Sequence, residues 1–217
     1  MLDEFKNMPN DIVKIIADEN LDEIAELAEV GIDTFLDEGL IKDIPLASTV
    51  LGIFKTVTNI RDALFIKKIA KFLFKLSELS DQDKKKFSDE MAKNVDLRKK
   101  IGEKILLLLE KADDMGKPEI IANLFMAYLR SEIDFSTFSR LSEAINKLSV
   151  SDVRNLGGNK DDQERNDRLV SVGLMTVIGM GNEHWKNTYS ISKSFFNYDF
   201  TEDGKKMAKF AFFKNSK

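Results

Sequence analysis

The sequence predicts a mainly α-helical protein, in which an N-terminal helical bundle over residues 1–117 precedes an α+β module with a small β-hairpin over residues 118–217. Two observations predict this fold class. Proline occurs only three times in 217 residues, and apolar residues recur at spacings of three and four along most of the chain, as the helical period requires. β-branched and aromatic residues, which favour strands, concentrate between residues 174 and 200.

Helix start and stop signals divide the N-terminal part. Asn20 has the properties of an N-cap with Glu23 at the capping-box position, and Gly31 ends that helix. Pro45 stands where a first-turn proline opens a helix, and Ser80 caps another helix. Helices are therefore predicted shortly after Pro9, over residues 21–30, 32–38 and 45–57, from Asn59 to about Leu79, after Ser80, and over residues 97–113.

The break at Gly116-Lys117-Pro118 separates this part from the C-terminal module. Asp134 and Thr201 are predicted N-caps, and the stretch Gly179–Asn182 is predicted to form the turn between two strands. Helices are predicted over residues 118–131, 135–147, 150–156, 160–173 and 202–213. Helices, two strands and a closing helix follow one another in the order of a winged helix-turn-helix module.

The composition excludes several kinds of chemistry. No cysteine is present, which excludes disulfides, thiolate zinc sites and cysteine nucleophiles. His184 is the single histidine and cannot build a zinc site by itself. Together with Trp185 it is predicted to lie in an exposed turn of the hairpin. Carboxylates are frequent, but none stands near a base or nucleophile in the sequence, so we predict a protein without catalytic residues, metal or cofactor.

Charge is distributed unevenly along the chain. Residues 1–43 contain thirteen acidic residues and three lysines, a balance of −10, whereas the whole chain carries −4 and the remainder therefore +6. Such a chain can pair with itself or present faces of opposite sign to partners. The acidic N-terminus lacks a secretory pattern, and the apolar run 44–54 is shorter than the ~20 residues that cross a bilayer. We predict a cytoplasmic protein, with peripheral contact to the inner membrane face as an alternative.

The stretch FIKKIAKFLFKL, residues 65–76, predicts a helix with two opposite faces. At about 100° per residue, apolar residues share one broad side and four lysines cluster on the other. We favour a bundle helix whose aromatic side chains fill the protein's own core. The alternative is a face that binds a partner or an anionic membrane once the segment 44–79 is released from the acidic helices. The candidate face comprises Phe65, Lys67, Lys68, Ile69, Lys71, Phe72, Lys75 and Leu76.

A winged helix-turn-helix module raises the question of DNA binding, which needs basic residues to neutralise phosphates. The helix over residues 160–173 contains three basic and four acidic residues, a balance of −1, which is poor for a recognition helix. Lysines are more frequent towards the end of the chain. The candidate nucleic-acid contacts are Lys186, Lys193, Lys205, Lys206 and Lys209. A DNA-binding regulator is thus an alternative to a protein-binding use of the same fold.

Two groups of segments resemble known families. DRLVSVGLM, followed by two strands and YDFTEDGKKMAKF, resembles the end of many winged-helix domains, where a Leu-Gly-Leu-like helix end leads into the wing and a Thr-x-x-Gly turn starts the last helix. IPLASTVLGIFKTVTNIRDALFIKKIAKFL and EIIANLFMAYLRSEIDFSTFSRLSEAI resemble uncharacterised bacterial and phage-linked proteins, some grouped with abortive-infection proteins of the Abi-alpha type. This resemblance implies anti-phage defence as a context and assigns no residue a role. The leading hypothesis is a non-enzymatic interaction or regulatory protein that binds another protein. That partner can be a second copy of the same chain.

Overall fold

The computed structural model describes residues 8–17, 60–156, 162–181 and 195–212. Within these ranges it contains nine α-helices and one two-stranded antiparallel sheet, which confirms the mainly α fold class with a small hairpin. The elements are α1 (Met8–Ile16), α2 (Ile60–Leu76), α3 (Asp81–Lys93), α4 (Val95–Lys111), α5 (Lys117–Leu129), α6 (Phe135–Lys147), α7 (Val150–Arg154), α8 (Gln163–Ser171), β1 (Met175–Gly181), β2 (Phe195–Phe200) and α9 (Glu202–Phe210). The winged-helix interpretation is finer than this and stays a prediction.

Several sequence-based predictions fall outside the described residues. They include the helices over residues 21–30, 32–38 and 45–57, and the exposed turn with His184 and Trp185. Most of the acidic stretch 1–43 is also outside these ranges. Those predictions are therefore neither confirmed nor contradicted.

Helix α5 occupies the centre of the core. Eleven of its thirteen residues are buried, as expected of a helix that is apolar around nearly its whole circumference. Helices α2, α4, α6 and α9 pack against it. The Phe125 ring of α5 contacts the rings of Phe72, Phe87 and Phe138, with centroids 5.3–5.9 Å apart. Buried apolar residues on both sides of the predicted boundary at residue 117 belong to one cluster, and the two-part division stays a prediction.

Several helices begin at residues whose side chains form N-caps. The side chains of Ser80, Asp134 and Thr201 each accept a hydrogen bond from the backbone N–H three residues further on, which confirms these three predicted N-caps. Helix α4 begins two residues before the predicted start, because the Asn94 side chain accepts from the Leu97 N–H and caps the helix there. The prediction thus located these helices well but missed three caps: Asn94, and Ser149 and Asp162, which cap α7 and α8.

A single glycine allows helices α1 and α4 to approach closely. A Cβ atom on Gly102 would lie 1.9 Å from the backbone oxygen of Pro9. No side chain fits in that space, so the contact depends on glycine at this position. Helix α1 thereby packs its buried apolar residues onto the described helices α3 and α4.

The hairpin and helix α9 meet at one corner. Gly173 ends α8 with a φ of +79°, a conformation that glycine adopts at little cost. The Thr201 backbone N–H donates to the Leu174 carbonyl at 3.1 Å, and the Thr201 hydroxyl donates to the Gly173 carbonyl at 2.7 Å. A Cβ atom on Gly204 would lie 1.9 Å from the Leu174 oxygen. The Thr-x-x-Gly sequence thus places the start of α9 directly against the entry to β1.

Strands β1 and β2 pair antiparallel with one irregularity. Val177 pairs with Tyr198 and Gly179 pairs with Asn197, so Ile178 is the extra residue of a β-bulge. The prediction that Gly179 belongs to the turn is wrong, because β1 continues to Gly181. Glycine often marks a β-bulge, where the strand is irregular, and it is also common in turns. The residue type alone therefore does not distinguish the two.

Candidate functional site

The apolar side of α2 is occupied by the protein's own core. Ile69, Phe72 and Leu76 have no exposed surface, and Phe65 is partly buried against the same cluster. Phe72 contacts Phe125 of α5 with ring centroids 5.9 Å apart. The preferred interpretation of this helix as a bundle helix is therefore confirmed. These apolar residues, predicted as the alternative partner or membrane face, are not available on the surface of this fold.

The lysines of α2 lie along its border with neighbouring helices. Lys71 forms an ion pair with Glu119 at 3.1 Å, and Lys75 pairs with Glu78 at 2.5 Å. Lys68 donates to the backbone oxygen of Glu110 at 3.2 Å, and partial burial lowers its pKa. Lys67, the fourth, is partly buried on the same helix. In the described residues, countercharge for Lys71 and Lys75 comes from helices and loops outside the acidic stretch 1–43.

Exposing the apolar side of α2 to a membrane would cost much of the stability of the fold. Burial of one large aliphatic or aromatic side chain contributes about 1.5–3 kcal/mol. Removing five such side chains from the core costs on the order of 10 kcal/mol, which is comparable to the total stability of a typical domain. The five buried residues of α2 are Ile66, Ile69, Phe72, Leu73 and Leu76.

The two arginines of α8 are both engaged by neighbouring polar groups of the module. Arg168 donates two hydrogen bonds to the carboxylate of Asp152, at 2.8 and 3.0 Å, and the pKa of Asp152 is held below its ordinary value chiefly by these bonds. Arg165 is only 6% exposed and donates to the Asn155 carbonyl at 3.0 Å. Their positive charges therefore stabilise the contact of α8 with α7 and the residues that follow α7.

The outward side of α8 is acidic as a consequence. Glu164 and Asp167 are exposed, and Asp162, the N-cap of the helix, is exposed beside them. We call these three residues the acidic face. Negative charge near a helix N-terminus is stabilising, which accounts for Asp162 and Glu164 without any ligand. The acidic face is nevertheless negatively charged, so it would repel the phosphates of a nucleic acid.

The lysines predicted as nucleic-acid contacts do not form a separate basic surface among the described residues. Lys205 is paired with Glu202 at 2.7 Å, and that bond raises the lysine's pKa. The Lys209 ammonium lies 4.5 Å from the centre of the Phe210 ring, and Lys206 is partly buried. Lys186 and Lys193 lie outside the described residues. DNA contact by the described lysines stays a prediction without further support.

Exposed apolar residues of the hairpin form a surface that the sequence did not reveal. Val177 is 44% exposed, Ile178 64% and Phe196 37%. We call these three residues the hairpin patch. Phe196 and Tyr198 are two apart on β2 and therefore lie on one side of the strand, with ring centroids 6.4 Å apart. Alternation in the β2 sequence FFNYDF was the available signal, but it does not say which apolar residues stay uncovered.

One hydrogen bond joins the hairpin patch to the acidic face. The Tyr198 hydroxyl donates to the Asp167 carboxylate at 2.6 Å. Burial and this bond raise the pKa of Tyr198 to about 12, so the phenol stays protonated and keeps donating at neutral pH. Val177 pairs with Tyr198 across the strands. Apolar and acidic residues are thus neighbours on one surface of the module.

Among the described residues, no group of three or more histidines, cysteines or carboxylates is arranged to hold a metal ion. Within the same ranges, none of the helices combines the length and the apolar character that crossing a membrane requires. A cleft of about 580 Å³ lies between α1, α2 and α4 and is bordered by Leu64, Phe65 and Leu107.

Comparisons of the chain with protein-family models, curated proteins and solved structures gave no match. The resemblance to abortive-infection proteins of the Abi-alpha type therefore stays a prediction. The fold and the surface described above carry the functional interpretation.

Proposed function

We propose that the chain is a non-enzymatic interaction or regulatory protein whose winged-helix-like C-terminal module binds protein and not DNA. The bacterial anti-phage context that the sequence resemblance implies is part of this proposal. The helical bundle that ends at residue 117 is the scaffold, and the module over residues 118–217, with α5 to α9 and the hairpin, presents the binding surface.

The direction of the α8 arginines carries this proposal. A DNA reader needs cationic side chains that reach phosphates, because neutralising phosphates supplies much of the affinity. Arg168 is engaged by Asp152 and Arg165 is buried, so α8 presents Glu164 and Asp167 outwards. A duplex approaching this helix would meet like charge. Apolar residues beside such a helix favour contact with another protein.

Duplex binding at low salt tests the choice between protein and DNA. Electrophoretic mobility of a 30-base-pair duplex should be unchanged by the full chain at about 50 mM salt, where electrostatic binding is strongest. A variant with Lys205, Lys206 and Lys209 all changed to Gln should behave like the wild type. A salt-sensitive shift that this triple variant loses would overturn the proposal in favour of a DNA-binding regulator.

Two further experiments address the interaction and its context. Affinity capture from bacteria with and without phage infection should enrich a protein that also binds the chain when both are purified. Expression of the chain should lower the plaque count of at least one phage, whereas a variant with Phe72 changed to Ala, which destabilises the core, should lower it less. A hydrolase, nuclease or transferase activity that survives mutation controls would contradict a non-enzymatic role.

A further inference from the structure

The hairpin has a side that the rest of the described protein does not cover. Helices α8 and α9 support the hairpin near the chain entry at Leu174 and Met175, which are buried. Further along the strands, Val177 and Phe196 are partly exposed, at 44% and 37%, and the bulge residue Ile178 is 64% exposed. Exposed apolar groups gathered in one place, with a polar border, are typical of surfaces that bind another protein.

Among the described residues, exposed acidic side chains predominate on α8 beside this hairpin patch. Glu164 and Asp167 of the acidic face are exposed, and Asp167 is bonded to the hairpin through Tyr198. Arg168 is the basic residue of α8 that reaches solvent, and Asp152 neutralises it. The described part of this surface therefore combines apolar contact area with an excess of negative charge.

We infer that the hairpin patch and the acidic face together bind a basic segment of a partner protein that also carries apolar side chains. This inference rests on the proposed protein-binding function and adds the chemistry of the partner. Lysine or arginine side chains of the segment pair with Glu164 and Asp167, while its apolar side chains cover Val177 and Phe196. Complementary charge accelerates association and selects the partner, and apolar burial slows dissociation.

A defined peptide tests this inference. The probe is a fluorescent 14-residue peptide of alternating lysine and leucine, and its binding to the full-length protein is followed by fluorescence anisotropy at about 50 and 300 mM salt. We expect binding that weakens with salt, and no binding of the matching glutamate–leucine peptide. A lysine–leucine peptide that does not bind overturns the inferred partner chemistry.

Two charge-reversal variants that have the same net charge locate the binding site. Glu164→Lys should weaken peptide binding by about tenfold, because an attraction is replaced by a repulsion at the rim of the contact. Asp89→Lys changes the net charge by the same amount on an exposed position of α3 and should leave binding unchanged. Equal effects of the two variants would show attraction to the chain as a whole, including residues 1–43, and would overturn the site.

The apolar half of the surface has its own test. Phe196→Ser should weaken binding by about three- to tenfold at both salt concentrations, because the lost contact is apolar. Circular dichroism and thermal unfolding of each variant establish that the fold is intact, and Ile178→Ser replaces Phe196→Ser if that variant unfolds. Unchanged binding by a folded hairpin variant overturns the inference. Because the peptide experiments involve no DNA, their failure is distinguishable from a duplex mobility shift, which overturns the proposed function.

Discussion

Helix α2 and the β1–β2 hairpin both consist mostly of apolar residues, but the surroundings of those residues differ. In α2, five apolar side chains are buried against helices that include α4 and α5. In the hairpin, which helices α8 and α9 support at one end, Val177, Ile178 and Phe196 are exposed. The comparison teaches that an apolar face in the sequence predicts burial. Only the neighbouring elements of the fold show whether that face is buried in the core or exposed on the surface.

The largest effect should come from the buried side of this comparison. Phe72→Ala removes a fully buried ring from the centre of the core and should lower the free energy of unfolding by about 3–5 kcal/mol. Urea denaturation followed by circular dichroism measures it. Phe196→Ala on the hairpin is the matched control and should cost much less, because the ring already contacts water. Similar losses in the two variants would contradict the assignment of one face as core and the other as surface.

The corner that supports the hairpin should give the next largest effect. Gly204→Ala places a Cβ atom 1.9 Å from the Leu174 oxygen and should destabilise by about 1–3 kcal/mol, although alanine ordinarily stabilises a helix. Gly179→Ala provides the control within the hairpin, because no atom lies within 4 Å of the new Cβ. Thermal unfolding of both variants measures the contrast. A Gly204→Ala protein as stable as the wild type would show that α9 does not hold the hairpin in this way.

The ion pair that directs Arg168 inwards should have a smaller, pH-dependent effect. Arg168 holds the pKa of Asp152 below its ordinary value, so the pair stabilises the fold above the unfolded-state pKa and loses this contribution as pH falls through the folded-state pKa. At pH 7, Asp152→Asn should cost about 1 kcal/mol. Urea denaturation at pH 7, 5 and 3 should show that the difference in the free energy of unfolding between the wild type and Asp152→Asn decreases as the pH falls. If the difference in the free energy of unfolding between the wild type and Asp152→Asn stayed constant over this pH range, the charge of the Asp152 carboxylate would contribute nothing to stability.

The smallest effect on stability should come from the exposed bulge residue. Ile178→Ser should change the free energy of unfolding by no more than about 0.5 kcal/mol, because the side chain is mostly in solvent already. The same urea titration measures it. A loss as large as that of a core substitution would mean that the hairpin patch is buried in solution, either by this chain or by a second copy.

Much of the secondary structure was predictable, and the exceptions have local causes. Ser80, Asp134 and Thr201 were recognised as caps because each is followed by the residues of a helix. Helix α4 was predicted to start too late, because Asn94 follows the preceding helix so closely that no loop separates them. Gly179 was assigned to a turn because glycine occurs in turns and in bulges alike.

The candidate surface was less predictable than the fold. The balance of −1 on the helix over residues 160–173 suggested a poor recognition helix, but it did not show which charges face outwards. In the structure, Arg165 is buried and Arg168 is bound by the Asp152 carboxylate. Glu164 and Asp167 are exposed. Exposure of Phe196 could not be derived either, because its side of β2 also contains the partly buried Phe200.

By itself the sequence determined the helical period, the caps, the place of the two strands and the two-sided character of α2. Each of these depends on residues within about four positions of one another, where spacing and side-chain chemistry are sufficient. Only the tertiary structure decided that the core covers the apolar side of α2, that Glu119 pairs with Lys71 and that Asp152 turns Arg168 inwards. The first ion pair joins residues 48 positions apart and the second joins residues 16 positions apart, and pairing over such distances is set by how the helices pack around α5.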